Sequence, residues 1–402
     1  MNFASAKHNA NNITFEEIVT VSGRKQVNEP RFFSRWAADT GHRRYDSMDF
    51  LPPPMVCRDD IYNTFSGLRA ASLPAVVGER DMSPILDLMY DLCDRDEASR
   101  QYILRFMAHL VQMPGILPGT GIIMKSKQGR GKNTLWGTFF AHKVLGEDLY
   151  HSSANPDHFF GRFANGMVNK LLTNFNEVEA NHTNKIMGLV KEAITEPFLN
   201  YEKKGLDVVK VHNFARQVWF SNEIMPIKIS SDDRRWVAVQ ASDQMPEIGS
   251  REHSEYFKRI HTWISDDGNV RAFYDKLLTM DLSNWDAERD RPRTSFYSGL
   301  QQLSLDRVDR WLVKAVETQT LPQKIYGDPL LDLINVSEGG STPLTRQWLS
   351  NRMKDFIGKG VFKKPNKKGT VYMFDSCALR ATLVAQHKID SAVLYISDED
   401  ND

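Results

Sequence analysis

The sequence is short of cysteine, short of net charge and free of long apolar runs, and each shortage excludes something. Three cysteines, Cys57, Cys93 and Cys377, are spread through 402 residues. That is too few and too scattered for a disulfide framework or a structural zinc site, and it fits a reducing compartment. No apolar run approaches the ~18–20 residues of a membrane span, and the first 25 residues lack the apolar stretch of a signal peptide, so a cytoplasmic, non-secreted, membrane-free protein is expected. Lysine and arginine number 51, as do aspartate and glutamate. A neutral total argues against a nucleic-acid partner only if charge is evenly spread. It is not: cations gather at 31–44, at Lys203-Lys204 and at 359–368, and acids close the chain at 398–402.

With 41% apolar and 25% charged residues, the composition is that of a globular protein of two or three domains. The expected organisation is an N-terminal segment over 1–56 ending in Leu51-Pro-Pro-Pro54, read as a stiff linker. A helical region over 57–118 follows, then an α/β unit over 119–284, a polar linker over 285–300, a small domain over 301–396 and an acidic tail over 397–402. In the α/β unit, short apolar runs at 121–124, 168–175 and 217–220 alternate with helical stretches, which predicts a mainly parallel sheet.

The most informative stretch is Ser126-Lys-Gln-Gly-Arg-Gly-Lys-Asn-Thr134, between a predicted strand and a predicted helix. Gly129 and Gly131 permit the backbone angles that turn N–H groups toward phosphates, the helix adds its positive end, and Lys132 reaches the terminal phosphates. Ser126 stands where a first glycine is usual, and Asn133 where Ser or Thr usually ligates magnesium; the Asn133 amide oxygen is a hard ligand able to substitute, with Thr134 as a backup one residue on. Downstream, 170–177 ends in Asn176-Glu177, with Glu177 placed to polarise water, Asn176 where an aspartate usually supports the metal, and Glu179 nearby. Arg216-Gln-Val-Trp-Phe-Ser-Asn222 ends in an amide suited to a γ-phosphate or a water, and Arg234-Arg235 suits an arginine finger.

Together these stretches, with Tyr62-Asn-Thr-Phe-Ser-Gly67 ahead of them, resemble the superfamily 3 helicases of the poxvirus and phage primase-helicase type, over roughly residues 61–236. The resemblance implies an AAA+-like P-loop ATPase with a helical collar that binds ATP and Mg2+ and acts on single-stranded or forked DNA as a homo-hexameric ring. Gln128 to Thr134 would then bind nucleotide, and Asn133, Thr134, Asn176 and Glu177 the metal. Lys132, Glu177, Asn222, Arg234 and Arg235 would be catalytic, the arginines completing a neighbour's site. It also implies a DNA-touching hairpin over 201–212, with Lys203, Lys204 and His212 facing the channel. The first fifty-odd residues are too short for a primase, which is expected on a separate chain if at all.

Phe32, Phe33 and Trp36 among arginines suit either base stacking or packing. Near the C-terminus, a helical stretch over 345–356 and two strands around a lysine-rich turn read as a winged-helix-like domain, with Lys363, Lys364, Lys367 and Lys368 as phosphate contacts or merely as solvated edge lysines. Two other classes compete with the motor: a non-motor DNA-binding assembly protein with a degenerate nucleotide site, favoured by Asn133 and Asn176, and an AAA+ remodeller acting on protein.

Overall fold

The structure is a computed structural model that describes residues 14, 16–21, 24–28, 31–41, 45–161, 164–177, 180–202, 207–222, 227, 229–230, 232–339, 342–367 and 369–386. The chain forms two units, one of residues 1–51 and 55–66, the other of 52–54 and 67–402. The smaller unit holds an antiparallel pair, β1 (Glu17–Val21) with β2 (Arg24–Asn28), helix α1 (Phe32–Ala38), and a parallel pair, β3 (Ser47–Asp49) with β4 (Ile61–Asn63). The Asn63 side chain clamps Leu51 through both its N–H and its carbonyl (3.0 and 2.8 Å). Leu51 and Pro52 are buried, so the stretch read as a stiff linker is in part anchored packing.

The larger unit opens with α2 (Ser83–Leu92) and α3 (Glu97–Gln112); α3 starts where the Asp96 carboxylate caps the Ser99 N–H. Its central sheet has five parallel strands: β5 (Gly121–Lys125), β6 (Tyr150–Ser153), β7 (Leu172–Asn176), β10 (Arg216–Ser221) and β11 (Trp236–Gln240). Their spatial order is β11-β5-β10-β7-β6. β5, β7, β10 and β11 are buried almost throughout, as parallel strands covered on both faces should be. β7 starts four residues later than its apolar run predicts, because Asn169 takes a left-handed backbone (φ 56°) and turns the chain first.

Helix α4 (Thr134–Leu145) follows the glycine loop and winds with π-type hydrogen bonds, ending with Gly146 N–H on the Ala141 carbonyl (2.8 Å). Between β7 and β10 run α5 (Ala180–Thr195) and an antiparallel hairpin, β8 (Phe198–Tyr201) with β9 (Val209–His212). Phe159, Phe175 and Trp219 stack on one sheet face with centroids 4.0 Å apart at each step. Arg216 is fully buried, and among the described residues none of its hydrogen-bond partners is a carboxylate. Its guanidinium donates to the carbonyls of Met113, Pro114, Phe214 and Ile116 and meets His109 Nδ1, tying β10 to the end of α3. Burial pushes the His109 imidazole down to about 3, with the Arg216 charge adding to the effect, so His109 is neutral.

Helices α6 (Arg251–Ser265) and α7 (Asp267–Thr279) return along α2 and α3. The stretch expected as a polar linker, 285–300, instead packs: Tyr102 donates to the Ala287 carbonyl (2.8 Å) and Arg291 to those of Asp233 and Trp236. α8 (Ser295–Ser304) lies along β11, with Thr294 Oγ1 on the Ala238 carbonyl. The C-terminal region runs α9 (Arg307–Glu317), β12 (Lys324–Tyr326), α10 (Gly327–Glu338), α11 (Arg346–Met353), β13 (Val361–Asn366), β14 (Gly369–Phe374) and α12 (Ser376–Ala385). Its three strands pair antiparallel in the order β12-β14-β13 over a core of their own. Among the described residues no helix is long and apolar enough to cross a membrane.

Candidate functional site

Parallel strands all point their C-terminal ends one way, so the loops leaving β5, β7 and β10 meet at one sheet edge. There they surround a pocket of about 280 Å3 lined by 127–134, Asn176, Glu177, His253 and Phe257. Among the described lining residues Lys127, Arg130 and Lys132 are the cations and Glu177 the one carboxylate, a balance that favours a polyanion.

Gly131 is fixed by sterics. Its φ is +93°, and a Cβ there would come within 2.8 Å of Leu88 Cδ1 and 3.0 Å of the Phe257 ring. The loop therefore folds back under α2 and α6, leaving the lysine that follows it buried. Lys132 is 7% exposed. Its ammonium donates to the Ser126 carbonyl and Oγ (both 2.8 Å), to Asn222 Oδ1 (3.1 Å) and to the Ser221 carbonyl (3.4 Å). Every acceptor in that cage is neutral. Burial pulls the ammonium down to about 8, and the Glu177 charge opposes the fall.

Asn222 is the bridge of the site. Its Oδ1 accepts from Lys132 and its Nδ2 donates to Glu177 Oε1 (3.0 Å), linking the loop after β5, the tip of β10 and the tip of β7. Glu177 itself sits at φ +56°, with its N–H on the Phe220 carbonyl (3.0 Å). A non-glycine residue held left-handed costs on the order of 1–3 kcal/mol, strain that turns this carboxylate out of the strand and into the pocket. Asn133 and Thr134 line the same pocket with Asn176. Asn133 Oδ1 accepts a long bond from Asn174 Nδ2 (3.4 Å), which also reaches Tyr150 OH (3.2 Å); Asn174 Oδ1 is buried with no partner. Gln128 and Gly129 are at the mouth, and Arg130 is turned aside, donating to the Pro246 carbonyl (2.8 Å).

Other expected residues lie elsewhere. Trp236 is in register with Gly121, so Arg234 and Arg235 stand at the opposite end of the sheet, roughly 17 Å of strand from the glycine loop. They cannot serve this chain's own pocket; Arg234 is exposed and pairs with Glu288 (3.4 Å). His212 is at the base of the hairpin, its ring near those of Phe198 and Phe214 (4.8 and 5.5 Å), rather than at the tip. Lys203, Lys204, Lys368 and Glu179 lie outside the described residues. In the C-terminal region Lys363, Lys364 and Lys367 are exposed, and Lys363 Nζ donates to Ser350 Oγ (3.0 Å).

Residues not expected from the sequence complete the pocket: Ser126 as a lysine acceptor, the Asn174–Tyr150 pair, and His253 with Phe257 from α6. His253 Nε2 meets the Gly129 carbonyl at 3.1 Å. The helical spacing of His253 and Phe257, one turn apart, is a signal that α6 has a ring-bearing face, but not of where that face lands.

Residues 124–235 match a family of unknown function, DUF5906. The chain is 26% identical over 166 residues to the DNA primase-polymerase of Nitratiruptor phage NrS-1, a match covering 40% of this chain and 23% of that protein. It thus corresponds to about a quarter of that relative's length. Two apo structures of the NrS-1 C-terminal region share the fold. One superposes with a TM-score of 0.57 at 16% identity, covering 87% of this chain and 91% of the other. The second gives 0.58 at 17%, covering 87% and 92%. The fold just described is therefore that of the NrS-1 C-terminal region, a mixed α/β architecture on a parallel central sheet.

Proposed function

We propose that this chain is the ATP-hydrolysing motor of a viral or phage-type DNA helicase. One observation carries the reading: Lys132, Asn222 and Glu177, from three neighbouring strand ends, are joined by hydrogen bonds beside a cationic pocket that Lys132 and Glu177 line. The relationship to a phage DNA primase-polymerase supports DNA as the partner. The strand order β11-β5-β10-β7-β6, with the glycine loop after β5, second from one edge, supports an AAA+-like assignment.

In this reading, Lys132 leaves its cage to bind the terminal phosphates of ATP, with the loop N–H groups around it. His253 and Phe257 wall the pocket beside the glycine loop. The oxygen donors of Asn133, Thr134, Asn176 and Glu177 are hard ligands of the type Mg2+ takes, and the partnerless buried Asn174 oxygen behind them shows a polar site that is not self-satisfied. Mg2+ bound there would neutralise phosphate charge. Glu177 orients and accepts a proton from the attacking water, and Asn222 reports the γ-phosphate to Glu177. Arg234 or Arg235, too far for this pocket, acts on a neighbouring subunit in a homo-hexameric ring. The β8–β9 hairpin, with Lys203, Lys204 and Lys210, tracks single-stranded DNA. The element order of the C-terminal region, helix-strand-helix-helix-strand-strand before its last helix, supports a winged-helix-like domain. The α2–α3 region is the collar.

The test is strand displacement on a forked duplex with ATP and Mg2+. Wild type should unwind, Lys132→Ala should neither bind ATP nor unwind, and Glu177→Gln should bind ATP without unwinding. Absence of ATP turnover would favour the non-motor assembly reading that Asn133 and Asn176 suggest. Turnover that single-stranded DNA does not stimulate would favour a protein remodeller.

A further inference from the structure

Arg234 and Arg235 stand at the end of the sheet away from the glycine loop, yet one helix links the two ends. Helix α5 begins soon after Glu177, and from Ala180 to Lys191 it covers roughly 16 Å, close to the roughly 17 Å of strand between the loop and the arginines. At that depth Lys191 Nζ forms an ion pair with Asp233 Oδ2 at 2.7 Å, and the Asp233 side chain is fully buried. The other oxygen of the same carboxylate, Oδ1, accepts the Arg235 N–H at 2.9 Å, an Asx turn that fixes the backbone carrying both arginines. The Tyr297 hydroxyl also holds this turn, donating to the Asp233 carbonyl at 2.8 Å. Arg234 is exposed and pairs with Glu288, whereas Arg235 is half-buried, with an Nε that has no hydrogen-bond partner among the described residues. Lys191 and Arg235 also face Asp232, whose carboxyl lies below the usual range chiefly through its bond with Ser230, the two cations adding to the effect.

We infer that Asp233 is a positioning residue that couples the two ends of the sheet: α5 responds to the nucleotide held beside Glu177, and the Lys191–Asp233 pair passes that response to the turn that presents Arg235. The inference rests on the motor reading, in which the arginines act on a neighbouring chain's nucleotide, and it adds that each pocket sets the state of the next. An ion pair that only stabilised the fold would need one contact. Here the two carboxylate oxygens divide the work, Oδ2 on the helix and Oδ1 on the arginine turn. A shift of α5 therefore acts directly on the backbone between Asp233 and Arg235. The pair resists separation, because the carboxylate would be left buried and unpaired, so helix and turn move together. Arg235 is the arginine so controlled, since Arg234 is set by Glu288 and by solvent.

Hydrogen exchange of the full chain, with and without a non-hydrolysable ATP analogue and Mg2+, tests the link without requiring turnover. In the wild type the analogue should change the exchange rate of the amides at 234–236 by roughly 5–10-fold, the lower range of inter-site coupling. Lys191→Met and Asp233→Asn should abolish that response with analogue affinity unchanged, and Lys191→Arg, which keeps the charge, should retain it. Asp233→Asn keeps an oxygen for the Arg235 N–H, and Lys191→Met/Asp233→Asn leaves no buried charge unpaired, so these variants separate uncoupling from loss of the fold. In steady-state turnover the uncoupled variants should lose at least about tenfold in kcat with KM unchanged, a split that global destabilisation does not produce. A wild type that binds the analogue without turning over ATP would sink the motor reading alone, and exchange would still decide the coupling. No exchange response at 234–236 in the wild type, or a full response in Lys191→Met/Asp233→Asn, would overturn the inference.

Discussion

Ser126 offers the sharpest test of how the nucleotide pocket works, because removing a hydroxyl there should strengthen ligand binding. In the unliganded protein the Ser126 Oγ accepts from the Lys132 ammonium at 2.8 Å and donates a hydrogen bond to the Lys127 carbonyl at 2.9 Å. A phosphate must draw the ammonium away from this acceptor, so the bond stabilises the empty state. A hydrogen bond to a charged group contributes about 1.5–3 kcal/mol. Three other acceptors remain around Lys132, which places the loss at the low end. A destabilisation of the empty state by about 1.4 kcal/mol tightens nucleotide binding roughly tenfold. The assay is titration of Ser126→Ala and Ser126→Gly with a fluorescent ATP analogue at pH 7, beside single-turnover hydrolysis. Both variants should bind about tenfold more tightly, with the chemical step unchanged. An equal or weaker affinity would refute the reasoning, since it would mean that the hydroxyl follows Lys132 into the bound state.

Further predictions concern protonation and packing. Burial brings Lys132 down to about 8, so above that pH the empty pocket loses the Lys132 charge, and nucleotide affinity should fall about tenfold per pH unit in a Kd–pH profile. Since the Glu177 charge holds the ammonium up, Glu177→Gln should move that inflection to lower pH. Gly360 lies at φ +98°, and a Cβ there would sit 2.2 Å from the Leu379 backbone nitrogen; Gly360→Ala should cost more than about 2 kcal/mol in denaturant unfolding of the C-terminal region. Arg216→Lys, which replaces a five-donor fork with three donors in a fully buried site, should destabilise by about 3 kcal/mol, again by chemical denaturation.

What could be read from the sequence was what is local. Gly129, Gly131 and Lys132 occupy consecutive turns of one loop, and Glu177 and Asn222 each end a short apolar run, so composition alone put them at strand tips. The parts that escaped are those whose partners lie far along the chain. His253 and Phe257 reach the loop from more than 120 residues away. Trp285 to Arg293 look solvated because they are polar, yet Ala287 and Arg291 are held through backbone carbonyls and guanidinium bonds that leave no trace in a hydropathy pattern. Arg216 looks like a strand-flanking charge, and its burial follows only from the carbonyls left open where α3 ends. Arg234 and Arg235 were found as a pair, while their separation from the pocket required the register of β11 on β5.

The crossover between β7 and β10 has a mechanical consequence. Glu177 precedes α5 by a few residues and the β8–β9 hairpin follows α5 directly, so the two are joined through one helix of 16 residues, a rod of about 24 Å. Helices of this length bend little. A tilt of about 10° pivoted at the pocket end would sweep the hairpin end through roughly 4 Å, about the span of one nucleotide step in a stacked strand. In the proposed motor this connection is a lever arm whose fulcrum is the strained turn at Glu177, and its length sets the stroke.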